Sequence, residues 1–263
     1  MMTFALLSGS AIAHATASNP DSEARSSVAG TIYLSQRIRF QPPDRGAPPA
    51  TIGSGSRSAA IDRSIKVLVP TATDTEDEPF GLTLDDNPTL WVYVTPLDNP
   101  TAELSLRVYG FDAQPQDPLF VRQTFAMPTE AGLVALPLLP DGDTLRLDTP
   151  YEWVLSIQNE NVLSSSEVAS GWIERTTLED DLMAQLDTAE MLDQVALYAT
   201  EGLWHNMIDT LIQIQTTADD PAIAQVWNDV LSDAGLDAIA IEPILTCCRP
   251  SPLEDAPHDR QPE

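Results

Sequence analysis

The 263-residue chain carries forty acidic residues against thirteen basic ones, a formal charge of -27, and only one of the thirteen is a lysine, Lys66. At 43% hydrophobic and 20% charged residues it has the composition of a folded protein, long enough for one large domain or two small ones with genuine cores. The charge excludes nucleic acid and anionic bilayers as partners, because their binding depends on Lys and Arg neutralising phosphate.

The first residues give an apolar run from Phe4 to Ala13, and then Ala13-His14-Ala15 and Ala15-Thr16-Ala17 fit a small-x-small cleavage pattern. Residues 1–17 therefore read as a signal peptide, although its positively charged start is missing, and the protein as exported, periplasmic or extracellular. No later stretch approaches eighteen apolar residues, so no integral membrane segment is expected. Residues 18–63 read as an extended arm with one strand, Thr31 to Phe40. Beyond it Pro42, Pro43, Pro48, Pro49, Gly53 and Gly55 break any helix or central strand.

From residue 64 to 175 short apolar runs alternate with turns. Residues 65–70 form the first, and 80–84 and 90–94 the next, separated by the turn residues Asp85, Asp86, Asn87 and Pro88. In the third run Leu90, Val92 and Val94 share one face and Trp91 and Tyr93 the other. Leu104, Leu106 and Val108 then alternate with Ser105 and Arg107. Runs at 119–125, 133–138, 151–157 and 169–174 follow; Trp153, Leu155 and Ile157 share a face with Tyr151. Seven or eight short strands at this spacing predict an immunoglobulin-like or fibronectin-like antiparallel β-sandwich. Tyr151, following Leu145-x-Leu147-Asp148-Thr149-Pro150, is placed either to bond back to upstream backbone as a tyrosine corner or to act as an ordinary interior aromatic.

After Arg175 the apolar period changes from two to about 3.6, and residues 176–245 read as a small helical bundle. Thr177 is expected to cap the first helix with Asp180 at N3. A second runs from about Ala189 to Thr200 and a third from Leu203 or Trp204 to Gln215. Pro221 opens a fourth that Gly235 ends, and a short piece, Leu236 to Ile241, follows. The stretch from Tyr198 through Gly202 to Trp204 looks like the turn of a tetratricopeptide hairpin. The fold class is thus α+β, a sandwich followed by a helical module, with residues 246–263 as a disordered tail. Between Thr176 and Cys248 there are fourteen Asp and Glu and no Lys or Arg.

Chemistry is sparse. His205 is the single histidine of the ordered body and reads as a satisfied surface or interface residue. No Gly-x-Ser-x-Gly elbow accompanies it, and Ser164, Ser165 and Ser166 read as loop. The adjacent Cys247 and Cys248 cannot staple a domain, since disulfides favour Cα atoms about 5.5 Å apart and neighbours stand about 3.8 Å apart. They read as two thiols near a frayed tail or as a strained vicinal ring, with a redox or soft-metal role as the alternative. The acidic loop Asp74, Glu76, Asp77 and Glu78 reads as solvated charge, with weak calcium binding as the alternative; no stretch has the order of an EF-hand. No catalytic, cofactor or metal residue is assigned. Chance pairs of carboxylates are inevitable in so acidic a chain.

Five ordered blocks carry a resemblance: 42–48 with 53–57, 81–83 with 88–94, Tyr151-Glu152-Trp153, Gly171-Trp172-Ile173-Glu174-Arg175, and Tyr198 with Gly202-Leu203-Trp204. Over about residues 36 to 245 the chain resembles the domain-of-unknown-function 928 family, secreted-looking proteins chiefly of cyanobacteria. The resemblance implies export and a cyanobacterial origin, and it transfers no activity. Some relatives place one cysteine after the Gly/Ser-Arg segment and another after the Tyr-x-Trp strand. Here those regions read Ala59-Ala60 and Gln158-Asn159, which implies an arm without that tether.

The leading expectation is a non-catalytic exported module that binds a protein or cell-envelope partner, with no cofactor. The alternatives are a carboxylate-based hydrolase or glycan-active enzyme, and an acidic salt-tolerant structural envelope component. Trp91, Tyr93, Tyr151, Trp153, Trp172, Arg175, Tyr198, Gly202 and Trp204 are the structural or interface candidates. Trp172, Tyr93 and Trp204 are expected at a seam between sheets and helices, with Trp172 as its anchor.

Overall fold

The described residues form eight strands, of which Thr89–Val94 and Pro150–Gln158 show the period-two alternation most cleanly. The computed structural model describes residues 37–43, 65–70, 79–98, 100–108, 121–158, 167–218 and 220–248. Residues 1–17, expected as a signal peptide, the rest of the arm, the acidic loop at 74–78, Ser164 to Ser166 and residues 249–263 lie outside the described residues. The strands are β1 (Ile65–Val67), β2 (Phe80–Thr83), β3 (Thr89–Val94), β4 (Thr101–Val108), β5 (Val121–Ala126), β6 (Gly132–Pro137), β7 (Pro150–Gln158) and β8 (Glu167–Arg175). One sheet has the antiparallel order β1-β3-β6. The other has the order β2-β8-β7-β4-β5 and is antiparallel except where β2 runs parallel to β8, Phe80 beside Trp172. The fold is therefore α+β, with two mostly antiparallel sheets followed by four helices.

Both sheets contribute to one apolar cluster, in which Leu90, Val92 and Val94 of β3 join Leu104 and Leu106 of β4, Phe125, Leu136, Trp153, Leu155 and Ile157. The alternation of β3 sends Trp91 and Tyr93 the other way, onto the helical layer. Area removed from water at about 25 cal/mol per Å² is the main favourable contribution to such a core. Tyr151 is 3% exposed, and its hydroxyl accepts a 3.0 Å hydrogen bond from the Arg146 backbone N–H five residues upstream. Of its two readings, the bond back to upstream backbone is the one realised.

The helices are α1 (Asp180–Thr188), α2 (Met191–Thr200), α3 (Trp204–Thr217) and α4 (Pro221–Asp233), followed by a 3-10 turn at Asp237–Ile239. The fourth starts as its sequence dictates: Asp220 accepts from the Ala222 N–H at 2.8 Å, and Pro221 occupies the first turn, where its missing donor costs nothing. The first does not. Thr177 is no cap; α1 begins after Glu179, whose side chain makes no capping bond. The cause is tertiary, because the Thr176 N–H continues a ladder to the Thr83 carbonyl at 2.8 Å and Leu178 packs against the cluster of Phe80, Leu82, Trp172 and Leu203. Both contacts hold the chain extended through 178.

Two further expectations change. Of the strand expected at 31–40, residues 37–40 form none; Ile38 and Phe40 instead pack on the helices, and the Gln41 N–H donates to the Ala199 carbonyl at 2.8 Å. At the other end, Cys247 and Cys248 are not part of a frayed tail. The chain returns along β6, with the Leu133 N–H on the Pro243 carbonyl at 2.7 Å and the Leu245 N–H on the Leu133 carbonyl at 2.8 Å. That parallel strap carries Cys248 into the inter-sheet cluster.

Candidate functional site

The first turn of α3 is buried on every side. Trp204, His205, Asn206, Met207 and Ile208 are consecutive and all at most 6% exposed. A helix can bury five residues in a row only where partners surround it. Here the partners are the β2–β3 end of the sheets, α2, and the arm at 37–43.

Indole nitrogens fix this seam. Trp204 Nε1 donates to the Leu68 carbonyl at 2.7 Å, and Phe40 meets the Trp204 ring edge-on at 4.8 Å between centroids. Trp91 Nε1 donates to Asp209 Oδ1, tying β3 to α3 one turn further on. Trp227 Nε1 donates to the Ala240 carbonyl at 2.9 Å within the helical layer. Buried indoles need such partners, because an unpaired N–H in an apolar setting costs about 1–3 kcal/mol.

A polar lock lies beside them. Asn206 Oδ1 accepts from the Leu84 N–H at 2.9 Å and from the Thr83 hydroxyl at 3.3 Å, while its Nδ2 donates to Asp85 Oδ2 at 3.0 Å. Arg175 completes the corner, donating through Nε to the Leu84 carbonyl at 3.3 Å and through Nη1 to the Leu145 carbonyl at 3.1 Å.

Five titratable groups at this seam depart from their ordinary values; burial first, and then nearby carboxylates, raise Tyr93 and Tyr198. Burial pushes the Asp209 carboxyl from 3.8 up to about 6; the Trp91 N–H opposes this and the charge of Asp85 adds to it. Burial, and then Asp86, raise Asp85, while Arg175 pulls it back. His205 is lowered from 6.5 to about 4 by burial, against a hydrogen bond to the Thr89 backbone. Its Nε2 has no partner among the described residues, and a Cβ at Gly81 would stand 2.7 Å from it. His205 is thus the interface residue expected but only half satisfied: the ring bonds the Thr89 backbone, while packing between α3 and β2 leaves Nε2 without a partner among the described residues.

Of the sequence candidates, Trp91, Tyr93, Trp172, Arg175, Tyr198, Gly202 and Trp204 come together along this seam. Trp172 is 2% exposed and packs with Phe80, Leu82 and Leu203. Tyr93 reaches Glu242 at 3.4 Å. Gly202 adopts φ +73°, the left-handed region that disfavours a Cβ, and a Cβ there would lie 3.2 Å from the Gln41 carbonyl and from Pro43. Its close approach is therefore to the arm. Tyr151 and Trp153 belong to the inter-sheet cluster instead. Asp85, Asn206 and Asp209 were not singled out as site residues by sequence. The available signal was their spacing: His205 and Asp209 lie i,i+4 and Asn206 and Asp209 i,i+3 on a helix whose apolar stripe is Met207, Ile208 and Leu211.

Chemically, the seam offers two carboxyls that resist ionisation and a neutral imidazole, all engaged in or enclosed by structural contacts. Among the described residues no group of three or more His, Cys, Asp or Glu could hold a metal ion, and no helix is long and apolar enough to cross a membrane.

Comparison with known proteins returns a family model described as Domain of Unknown Function (DUF928), matched over residues 51–244. No curated protein matches the sequence. Among solved structures, the ASH / PapD-like domain of human CEP192 is 14% identical, with 55% of this chain and 97% of that one covered and a TM-score of 0.22. A Bacteroides uniformis β-glucuronidase is 10% identical, with 69% of this chain and 27% of that one covered and a TM-score of 0.20. At those TM-scores neither likeness carries an argument.

Proposed function

The chain belongs to the domain-of-unknown-function 928 family, and from that premise we propose that it is a non-catalytic exported module that binds a cationic protein or cell-envelope partner. The observation that carries the reading is where the aromatic and acidic residues lie. Trp172 and Trp204 are buried and Trp91 and Tyr93 half-buried against the helices, so the aromatics serve the seam. The surface left for a partner is acidic. On and around α1 only Leu186 of the helix is buried, while Glu179, Asp180, Asp181, Asp187 and Glu190 are exposed. No Lys or Arg neutralises them between residues 176 and 248. Acid-on-acid repulsion at the surface costs stability, and a cationic partner relieves it while gaining rate from steering.

We further propose an immunoglobulin-like sandwich at 64–175 and a tetratricopeptide-hairpin-like module at 176–245, joined by the seam. The apolar cluster shared by the two sheets and the Tyr151 bond to Arg146 support the first. The α2–α3 pair, turned at Gly202 by the Leu203 N–H on the Tyr198 carbonyl at 2.9 Å, supports the second.

The test is capture from the exported fraction by immobilised protein at rising NaCl, beside a variant with Asp180→Asn, Asp181→Asn and Asp187→Asn. Capture that falls with salt and is weakened in the variant supports the reading. Capture indifferent to both overturns it. Glycan hydrolysis that disappears in Asp209→Asn would establish the carboxylate-enzyme reading in its place.

A further inference from the structure

We propose that Cys247, Cys248 and Met127 form, once the cysteine pair is reduced, a three-sulfur site for a soft monovalent metal ion, Cu(I). The site is distant in kind from the acidic surface, and the proposal stands apart from the binding reading. Its basis is that three sulfurs meet at the rim of the inter-sheet core. Cys247 and Cys248 are joined as a vicinal disulfide, and Cys248 Sγ lies 4.0 Å from Met127 Sδ.

The fold brings them together by construction. Met127 follows β5 and is held by its N–H on the Pro100 carbonyl at 3.0 Å. The strap at 243–248 lies on the start of β6, where only a glycine fits: a Cβ at Gly132 would come 2.6 Å from both the Pro243 carbonyl and Leu245 Cγ. Residues 128–131 are all that separate Met127 from Gly132, so the strap, once seated, delivers both cysteines to the thioether. Cys248 and Met127 are 8% and 7% exposed, whereas Cys247 is only half-buried and gives the ion a way in.

Thiolate and thioether donors select Cu(I) over the hard divalent ions, which prefer oxygen. A metal–sulfur bond of about 2.3 Å, the length at zinc thiolates, sets three trigonal donors about 4 Å apart. The Cys248–Met127 separation already has that value. Loading requires the disulfide to open. An external dithiol supplies the two electrons: its two thiols become a disulfide, and Cys247 and Cys248 each end as a thiol. Cu(I) then displaces the thiol protons, while Met127 donates its lone pair without losing a proton. Oxidised protein has no thiolate to offer and does not load.

The full chain, reduced with a dithiol, freed of it and kept anaerobic, is titrated with Cu(I) against a chromogenic Cu(I) chelator. One ion per chain is expected, with a copper–thiolate absorption in the near ultraviolet. Cys248→Ser should abolish binding. Met127→Leu, close in volume and apolar, should keep the fold by circular dichroism and lose at least about tenfold in affinity. The proposal is overturned if reduced protein leaves Cu(I) on the chelator, if oxidised protein loads equally, if Met127→Leu binds as the parent does, or if reduction unfolds the chain.

Discussion

The inter-sheet core and the sheet–helix seam both hold fully buried tryptophans but are differently made. The core is a set of alternating aliphatic side chains with Phe125 and Trp153 among them, and Trp153 Nε1 has no partner among the described residues. At the seam Trp204 and Trp91 each spend their indole N–H on a specific acceptor, beside Asn206 bridging Leu84, Thr83 and Asp85. An apolar core tolerates approximate shape so long as volume is kept, whereas polar contacts in a dry setting fix one register and penalise every other. The core therefore holds the sheets together, and the seam decides how the helices sit on them.

The comparison breaks most visibly at the tryptophans. Trp172→Ala and Trp204→Ala at the seam, like Trp153→Ala in the core, should each cost about 3–5 kcal/mol through lost contact and cavity, read as a fall in the denaturation midpoint at unchanged slope. Tryptophan to phenylalanine separates the regions. Trp204→Phe strands the Leu68 carbonyl, which now accepts at 2.7 Å, and should add about 1–3 kcal/mol to the packing loss. Trp153→Phe strands nothing and should cost less than Trp204→Phe. Equal costs would show that the seam's hydrogen bonds add nothing to its packing.

The same contrast separates what the sequence discloses from what it hides. Period-two runs place β3, β4 and β7 and the inward faces of Leu104, Leu106 and Trp153, because a half-buried strand must alternate. Pro221 and Gly235 bracket α4 by local rules of helix start and stop, and the structure adds Asp220 as its cap. Hidden are the parallel pairing of β2 with β8, which joins segments some ninety residues apart, and the extended stretch that replaces the Thr177 cap. The inward polar group is hidden for a related reason. Helical periodicity assigns residues to one face, while the first turn of α3 is enclosed on all faces, so His205 and Asn206 have no apolar neighbour pattern to betray them. Trp172 is legible only because it stands where the period changes.

Acid sharpens the contrast, since Asp209 and His205, the two groups moved furthest from their ordinary values, both lie at the seam. Asp209, raised from 3.8 to about 6, contributes stability that is fully present below about 3.8 and lost as pH rises through about 6. Asp85 acts in the same direction. His205, lowered from 6.5 to about 4, contributes stability present above 6.5 and lost as pH falls through about 4. Between about pH 4 and 6.5 the two oppose, and the parent protein should show a shallow dependence. Asp209→Asn keeps an acceptor for Trp91 and leaves only the weaker effect of Asp85 against the histidine, so its stability should fall more steeply on acidification. His205→Asn should reverse the slope. Parallel profiles of all three in urea denaturation across that window would show that these groups are not buried as the seam places them.

The smallest effect tests where the seam ends. The arm joins it through Ile38 and Phe40, which are packed against Trp204 and its neighbours, and through Arg37, whose Nη2 lies 2.7 Å from Asp233 and whose Nε lies 3.8 Å from Asp229. Arg37 is exposed, so its pairs should be worth no more than about 1 kcal/mol and be screened by salt. It is also one of the few cations placed on a helical layer that has none of its own, which gives Arg37→Ala a second cost in uncompensated repulsion. Both costs vanish as the Debye length shrinks from about 8 Å to about 3 Å near 1 M NaCl. The parent should therefore melt higher in strong salt, the Arg37→Ala deficit should close there, and a Phe40→Ala deficit should persist. An Arg37 deficit that survives 1 M NaCl would mean the arm is held at that residue by packing, and the seam would extend one residue further than its aromatics.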